Sequence, residues 1–133
     1  MCIRDSFIVG GQIAGDQPRL FQVYSAGNFI EATARSRFLQ IGETKYGKPI
    51  LDRALNAETS LAEAAKLALL SFDATIRSNL SVAPPIDMVS YVADTFQAKR
   101  LKFGNDNPYW TTLRSAYSEQ LLATVRSLPS VHL

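Results

Sequence analysis

Two-residue alternation marks the first third of the chain. Leu20, Gln22 and Tyr24 alternate with Phe21 and Val23, and a second β-prone run covers Phe7 to Ile13. Between them lies Ala14-Gly15-Asp16-Gln17-Pro18, whose Gly, Asp and Pro supply turn chemistry, so the pattern predicts a hairpin. A further turn at Ser25-Ala26-Gly27-Asn28 leads into Phe29-Ile30-Glu31-Ala32-Thr33, and Phe38-Leu39-Gln40-Ile41-Gly42 follows as one more short apolar run. Residues 7–42 therefore read as an antiparallel meander.

The period changes at Lys45. Tyr46, Ile50, Leu51 and Ala54 recur every three to four residues, with Gly47 and Pro49 near the start, where a first helical turn tolerates proline. Ser60-Leu61-Ala62-Glu63 has the capping-box form, and Leu61, Ala65, Ala68, Phe72 and Ile76 make one apolar stripe on a helix reaching about Asn79. Ala83-Pro84-Pro85-Ile86-Asp87 breaks that helix. Met88 to Val92 then reads as a strand, returned by Ala93-Asp94-Thr95 into a second strand across Phe96 to Gly104. Asn107-Pro108 is an N-cap and first helical position, and Trp110, Leu113, Tyr117, Leu121 and Val125 line the core face of the last helix. Strands, two helices, two strands and one helix, with the strands antiparallel, predict α+β layers.

Composition narrows the function classes. At 133 residues the chain fits one domain, and a formal net charge of +2 makes no field able to recruit nucleic acid or a membrane surface. Cys2 is the single cysteine and His132 the single histidine, so neither a disulfide framework nor a Cys/His zinc site is expected. No apolar run approaches the roughly 18 residues of a membrane span, and a cytoplasmic protein is expected.

Candidate chemistry is sparse. Gly10-Gly11 lacks the spacing of a phosphate cradle, and His132 sits in a tail that leaves a Ser-His-Asp triad without its base. Lys99-Arg100-Leu101-Lys102-Phe103, near Tyr109-Trp110, has the alternation of a strand with one solvated face rather than a nucleic-acid platform. The segment Arg77-Ser78-Asn79-Leu80-Ser81-Val82 places two hydroxyls three residues apart at the end of the long helix, where Ser78 and Ser81 read first as cap and turn formers.

Three stretches carry a resemblance. LFQVYSAGNFIEAT, QIGETKYGKPILDR and RSNLSVAPPID are similar to the bacterial proteasome-type protease family Anbu, the ancestral β-subunit, in a continuous register from Phe7 to about Val125. The resemblance implies the proteasome-like N-terminal nucleophile hydrolase fold, two antiparallel sheets between helical layers, of which residues 7–133 form the C-terminal half. Met1 to Ser6, MCIRDS, matches nothing in the family and resembles translated adapter sequence, so residues 1–6 are expected to be foreign and Cys2 is expected to be no nucleophile.

The family's threonine nucleophile and its Asp and Lys partners belong to the first half, so no catalytic residue is assigned within this chain. The residues expected to support the site are Ser78, Ser81 and Glu43. Proteasome-type subunits carry Arg-Asp-x-x-Ser-Gly after the long helix, and here Arg77 and Ser81 are kept while Ser78 replaces the Asp and Val82 the Gly. A neutral Ser78 orients an amine without stabilising its protonated form as a carboxylate does. Glu43, in Ile41-Gly42-Glu43-Thr44, stands at the Ser of a proteasome-like Gly-Ser-Gly turn. The implied reaction is hydrolysis of peptide bonds in a protein or peptide, without metal or organic cofactor, by like subunits in a ring or shallow helical homo-oligomer. The alternative is a non-catalytic self-assembling or protein-docking subunit of the same fold.

Overall fold

A computed structural model describes residues 6–132; Met1 to Asp5, Cys2 among them, and Leu133 lie outside the described residues. Strand β1 (Phe7–Gly11) pairs antiparallel with β2 (Arg19–Val23), with Val9 opposite Phe21, and β2 pairs antiparallel with β3 (Phe29–Glu31), with Val23 opposite Phe29. Both connections turn through glycine in the left-handed region, Gly15 and Gly27 at φ +85°, which a side chain would strain. Arg19 Nε and Nη2 donate to Glu31 at 2.7 and 2.9 Å, and this contact holds the Glu31 carboxyl below its ordinary range.

The predicted run at Phe38–Gly42 forms no strand. An apolar period orients side chains, but a strand also needs a hydrogen-bonding partner, and none pairs with these residues among those described. The next helix, α1 (Lys48–Ala54), starts three residues later than its period suggests, after Gly47. Gly47 is there because α1 presses on the following helix: a Cβ at this position would lie 2.9 Å from both the Cβ and the carbonyl oxygen of Ser71.

Helix α2 (Leu61–Ser78) has the expected capping box: Glu63 N–H donates to Ser60 Oγ at 3.2 Å and Ser60 N–H to Glu63 Oε2 at 2.9 Å. The bond from the Ser60 backbone, aided by its hydroxyl, holds the Glu63 carboxyl below the usual range. The buried face differs from the predicted stripe. Leu61 and Phe72 are exposed, while Leu69, Leu70, Ser71, Asp73 and Thr75 are buried, because α2 is contacted both by α1 and by the last helix.

Strand β4 (Ile86–Tyr91) follows a cis Pro84–Pro85 bond and pairs antiparallel with β5 (Ala98–Phe103), Ile86 opposite Phe103. Helix α3 (Pro108–Ser127) starts as expected, with the Trp110 N–H donating to Asn107 Oδ1 at 3.0 Å. Trp110, Leu69, Ile86 and Phe103 form the core, with Ile76, Met88 and Leu113 around them. Asp73, almost fully buried, ties α2 to α3: it accepts from Arg77 Nε at 3.0 Å and from Arg114 Nε at 2.6 Å, and the Arg114 guanidinium lies over the Trp110 ring. The expected core stripe of α3 holds as far as Tyr117, whereas Leu121 and Val125 are exposed. Gln12 links the two sheets, accepting from Tyr91 Oη at 2.7 Å and the Asp94 N–H at 2.8 Å; β1 stops at Gly11, opposite Arg19 where β2 begins, and not at Ile13.

Candidate functional site

The end of α2 builds the site. Asn79 leaves helical geometry at φ −141° and ψ 111°, although its N–H still donates to Thr75 O at 2.8 Å. Its side chain gives the reason. Asn79 Oδ1 accepts from the Ser81 N–H at 2.9 Å and from Ser81 Oγ at 2.7 Å, an Asx turn that competes with helix continuation. The same carboxamide has its donors pointing the other way, and Nδ2 donates to Glu43 Oε2 at 3.0 Å.

Glu43 reaches that point from a different part of the chain. It follows Gly42, which turns at φ +80°, and lies in the loop before α1. Lys45 Nζ stands 3.7 Å from Glu43 Oε2, an ion pair whose lysine is largely solvated. Two of the three expected residues, Glu43 and Ser81, therefore share one neighbour, Asn79. Ser78 is different: it is exposed on the last turn of α2 and stands outside this hydrogen-bonded set.

Asn79 was not among the expected site residues. Its signal was present, an asparagine two residues ahead of a serine just past a helical period, which is the spacing of an Asx turn. What the spacing lacked was Glu43, thirty-six residues away in sequence.

The chemistry of the cluster follows from its donors and acceptors. Ser81 Oγ spends its proton on Asn79 and keeps lone pairs free, and Glu43 presents a carboxylate, so the cluster offers acceptors to an incoming N–H or ammonium group. It contains no nucleophile with an adjacent base. A separate cleft, which none of the three cluster residues lines, runs between β2, β3 and α1 and is lined by Gln22, Ile30, Phe38, Thr44, Lys48 and Leu51. Among the described residues no group of three or more His, Cys, Asp or Glu side chains is arranged to hold a metal, and no helix is long and apolar enough to cross a membrane.

Comparison with known proteins fixes the lineage. No protein-family model and no curated protein matches the chain. Solved structures do. A mutant Anbu from Hyphomicrobium sp. strain MC1 is 50% identical with a TM-score of 0.95, over 98% of this chain and 56% of its own. Anbu (ancestral beta-subunit) from Yersinia bercovieri is 44% identical with a TM-score of 0.92, over 96% of this chain and 55% of its own. The Anbu complex of Pseudomonas aeruginosa, solved as a helical assembly, is 48% identical with a TM-score of 0.91, over 96% of this chain and 53% of its own. The chain spans just over half the length of each solved protein, with the same α+β arrangement throughout. It belongs to the proteasome-like, protease-related Anbu family.

Proposed function

We propose that the natural protein carrying this sequence is a threonine-type peptidase of the N-terminal nucleophile kind, and that residues 7–133 are its supporting half. The observation that carries the proposal is the acceptor cluster of Glu43, Asn79 and Ser81 at the end of α2. In such an enzyme the threonine hydroxyl gives its proton to its own α-amine and attacks the peptide carbonyl, and the tetrahedral adduct collapses with cleavage of the C–N bond as the α-ammonium passes that proton to the departing amine. The resulting ester is cleared by water activated by the same amine. Holding that amine is a task for hydrogen-bond acceptors, and Ser81 and Glu43 supply them. The substrate is a protein or peptide, the compartment the cytoplasm, and the working form an assembly of like subunits in a ring or shallow helix. On this reading the exposed apolar residues Phe7, Val9 and Phe29 of the first sheet form the face that the other half of the subunit covers.

One observation favours a second reading, a non-catalytic assembly or docking subunit. Ser78 occupies the position of the proteasome-type aspartate, and it is exposed and outside the cluster. The two readings separate in one experiment on the full-length natural protein. A peptide epoxyketone, which consumes both the hydroxyl and the amine of an N-terminal threonine, yields one adduct per subunit by mass spectrometry if the peptidase reading holds. Ser81→Ala and Asn79→Ala then slow labelling about tenfold, the scale of one lost charge-assisted hydrogen bond. An unlabelled, well-folded protein overturns the peptidase reading in favour of the second.

A further inference from the structure

Two segments distant in sequence meet at two points. Ser71, Thr75 and Asn79 follow one another four residues apart along α2, on one face of the helix and into its cap. Glu43 and Gly47, also four apart, lie in the loop before α1 and at its start. Glu43 touches Asn79 at 3.0 Å, and Gly47 lies against Ser71. Hydrogen bonds connect the two points along α2: Thr75 Oγ1 donates to Ser71 O at 2.9 Å, and the Asn79 N–H donates to Thr75 O at 2.8 Å. On the other segment the Lys48 N–H donates to Thr44 O at 3.0 Å and closes the turn between Glu43 and Gly47. The circuit has little slack, and Gly47, Ser71 and Thr75 are buried by neighbours within the described residues. Gly47 itself has an ordinary right-handed backbone, φ −88° and ψ −28°, so its conformation makes no demand for glycine. The contact does: a Cβ there would stand 2.9 Å from the Ser71 carbonyl oxygen, which is fixed in the helix.

We propose that Gly47 is a positioning residue of the acceptor cluster: its close approach to Ser71 sets where the preceding turn lies on α2, and so places the Glu43 carboxylate on Asn79 while Asn79 holds Ser81. Helix α2 is the ruler. Ser71 and Asn79 are eight residues apart, about 12 Å along the axis, and the distance between the two contacts is fixed by that rigid element. A methyl at position 47 has to retreat about 0.6–1 Å to reach ordinary carbon contact distance, because the backbone carbonyl it meets cannot turn aside. The retreat carries the closed turn from Thr44 to Lys48 with it and draws Glu43 out of hydrogen-bond range of Asn79. The kinetic consequence of this inference rests on the peptidase reading; the structural consequence stands on the geometry alone.

The test is made on the full-length natural protein, with crystal structures of wild type and Gly47→Ala and with the kinetics of peptide epoxyketone labelling. In Gly47→Ala the separation of Glu43 Oε2 and Asn79 Nδ2 is expected to grow from 3.0 Å to beyond about 3.5 Å, with the bond from Ser81 Oγ to Asn79 Oδ1 kept. The limiting rate constant of labelling falls about tenfold while the half-saturating concentration stays within about twofold. Glu43→Gln produces the same split, and the double variant Gly47→Ala/Glu43→Gln is no slower than either single, because both remove one interaction. A general loosening of the fold instead multiplies the two losses. Ser71→Val, which enlarges the other side of the same contact, is the second variant should Gly47→Ala not fold, and the same displacement is expected of it. A Glu43–Asn79 bond that stays at 3.0 Å, or losses that multiply in the double variant, overturns the positioning role while the peptidase reading stands. An unlabelled wild-type protein overturns the peptidase reading, and the crystallographic distance then decides the positioning role by itself.

Discussion

The β4–β5 hairpin and the β1–β3 sheet are made of similar chain and have different fates. In the hairpin, Ile86 and Phe103 face α2 and α3 across Leu69 and Trp110 and are buried. In the sheet every strand residue stays at least partly exposed, with Phe7 at 56% and Phe29 at 62%. Both regions have full ladders in good register. The difference is a facing layer: strand pairing satisfies backbone groups, but burial needs a second surface to close on the side chains. Local pattern suffices for the first, and only assembly of elements distant in sequence provides the second.

Removing the facing layer's central residue gives the largest expected effect. Trp110→Ala costs about 3–5 kcal/mol in chemical denaturation, whereas Phe29→Ala in the open sheet costs less than about 1 kcal/mol. Equal losses at the two positions break the contrast. Next comes Gly47→Ala, which forces a methyl to within 2.9 Å of Ser71 and separates α1 from α2. Overpacking of this kind costs about 1–3 kcal/mol, visible as a lowered Tm. A Tm unchanged by this substitution means that α1 rests on α2 only loosely.

Gln12→Ala tests the link between the two regions. It removes the acceptor of Tyr91 Oη and of the Asp94 N–H, at about 1 kcal/mol. Faster amide exchange is expected in β1 and β2, with β4 and β5 less affected because they keep their own core. The smallest effect is at the solvent-exposed capping box. Glu63 has a lowered carboxyl pKa in the folded state, so its contribution is complete above the ordinary glutamate range near about 4.3 and is lost as pH falls through the lowered value. Glu63→Gln therefore flattens the acid limb of a stability profile by slightly lowering stability at neutral pH, where the carboxylate's contribution is present, and leaves the acid end nearly unchanged.

Much of the fold was legible because its signals are local. The Ser60–Glu63 box, the Asn107–Pro108 helix start, the glycine turns and the alternation at Leu20 to Tyr24 each act within a few residues, and each formed as expected. Phe38–Gly42 misled for the complementary reason, since a strand without a partner has no ladder. The α2 stripe misled because a single helical period assumes one contact face, while α1 and α3 approach from different sides. At the candidate site, Ser81 and Glu43 came from resemblance, and the side chain joining them, Asn79, emerged only with the folded geometry.

The amino-acid sequence by itself determined the α+β class, the element order, the capping chemistry and the family. Those depend on short-range periodicity and on residue-by-residue likeness, which a linear string carries. Tertiary structure alone decided that Asp73 is a buried tie between two arginines, that Gly47 is a contact point, and that Glu43 meets Asn79. It also decided that α3 runs out of core at Ser118. Each of these is a relation between positions far apart in the chain, set by how helices and sheets close on one another, and no local pattern encodes that distance.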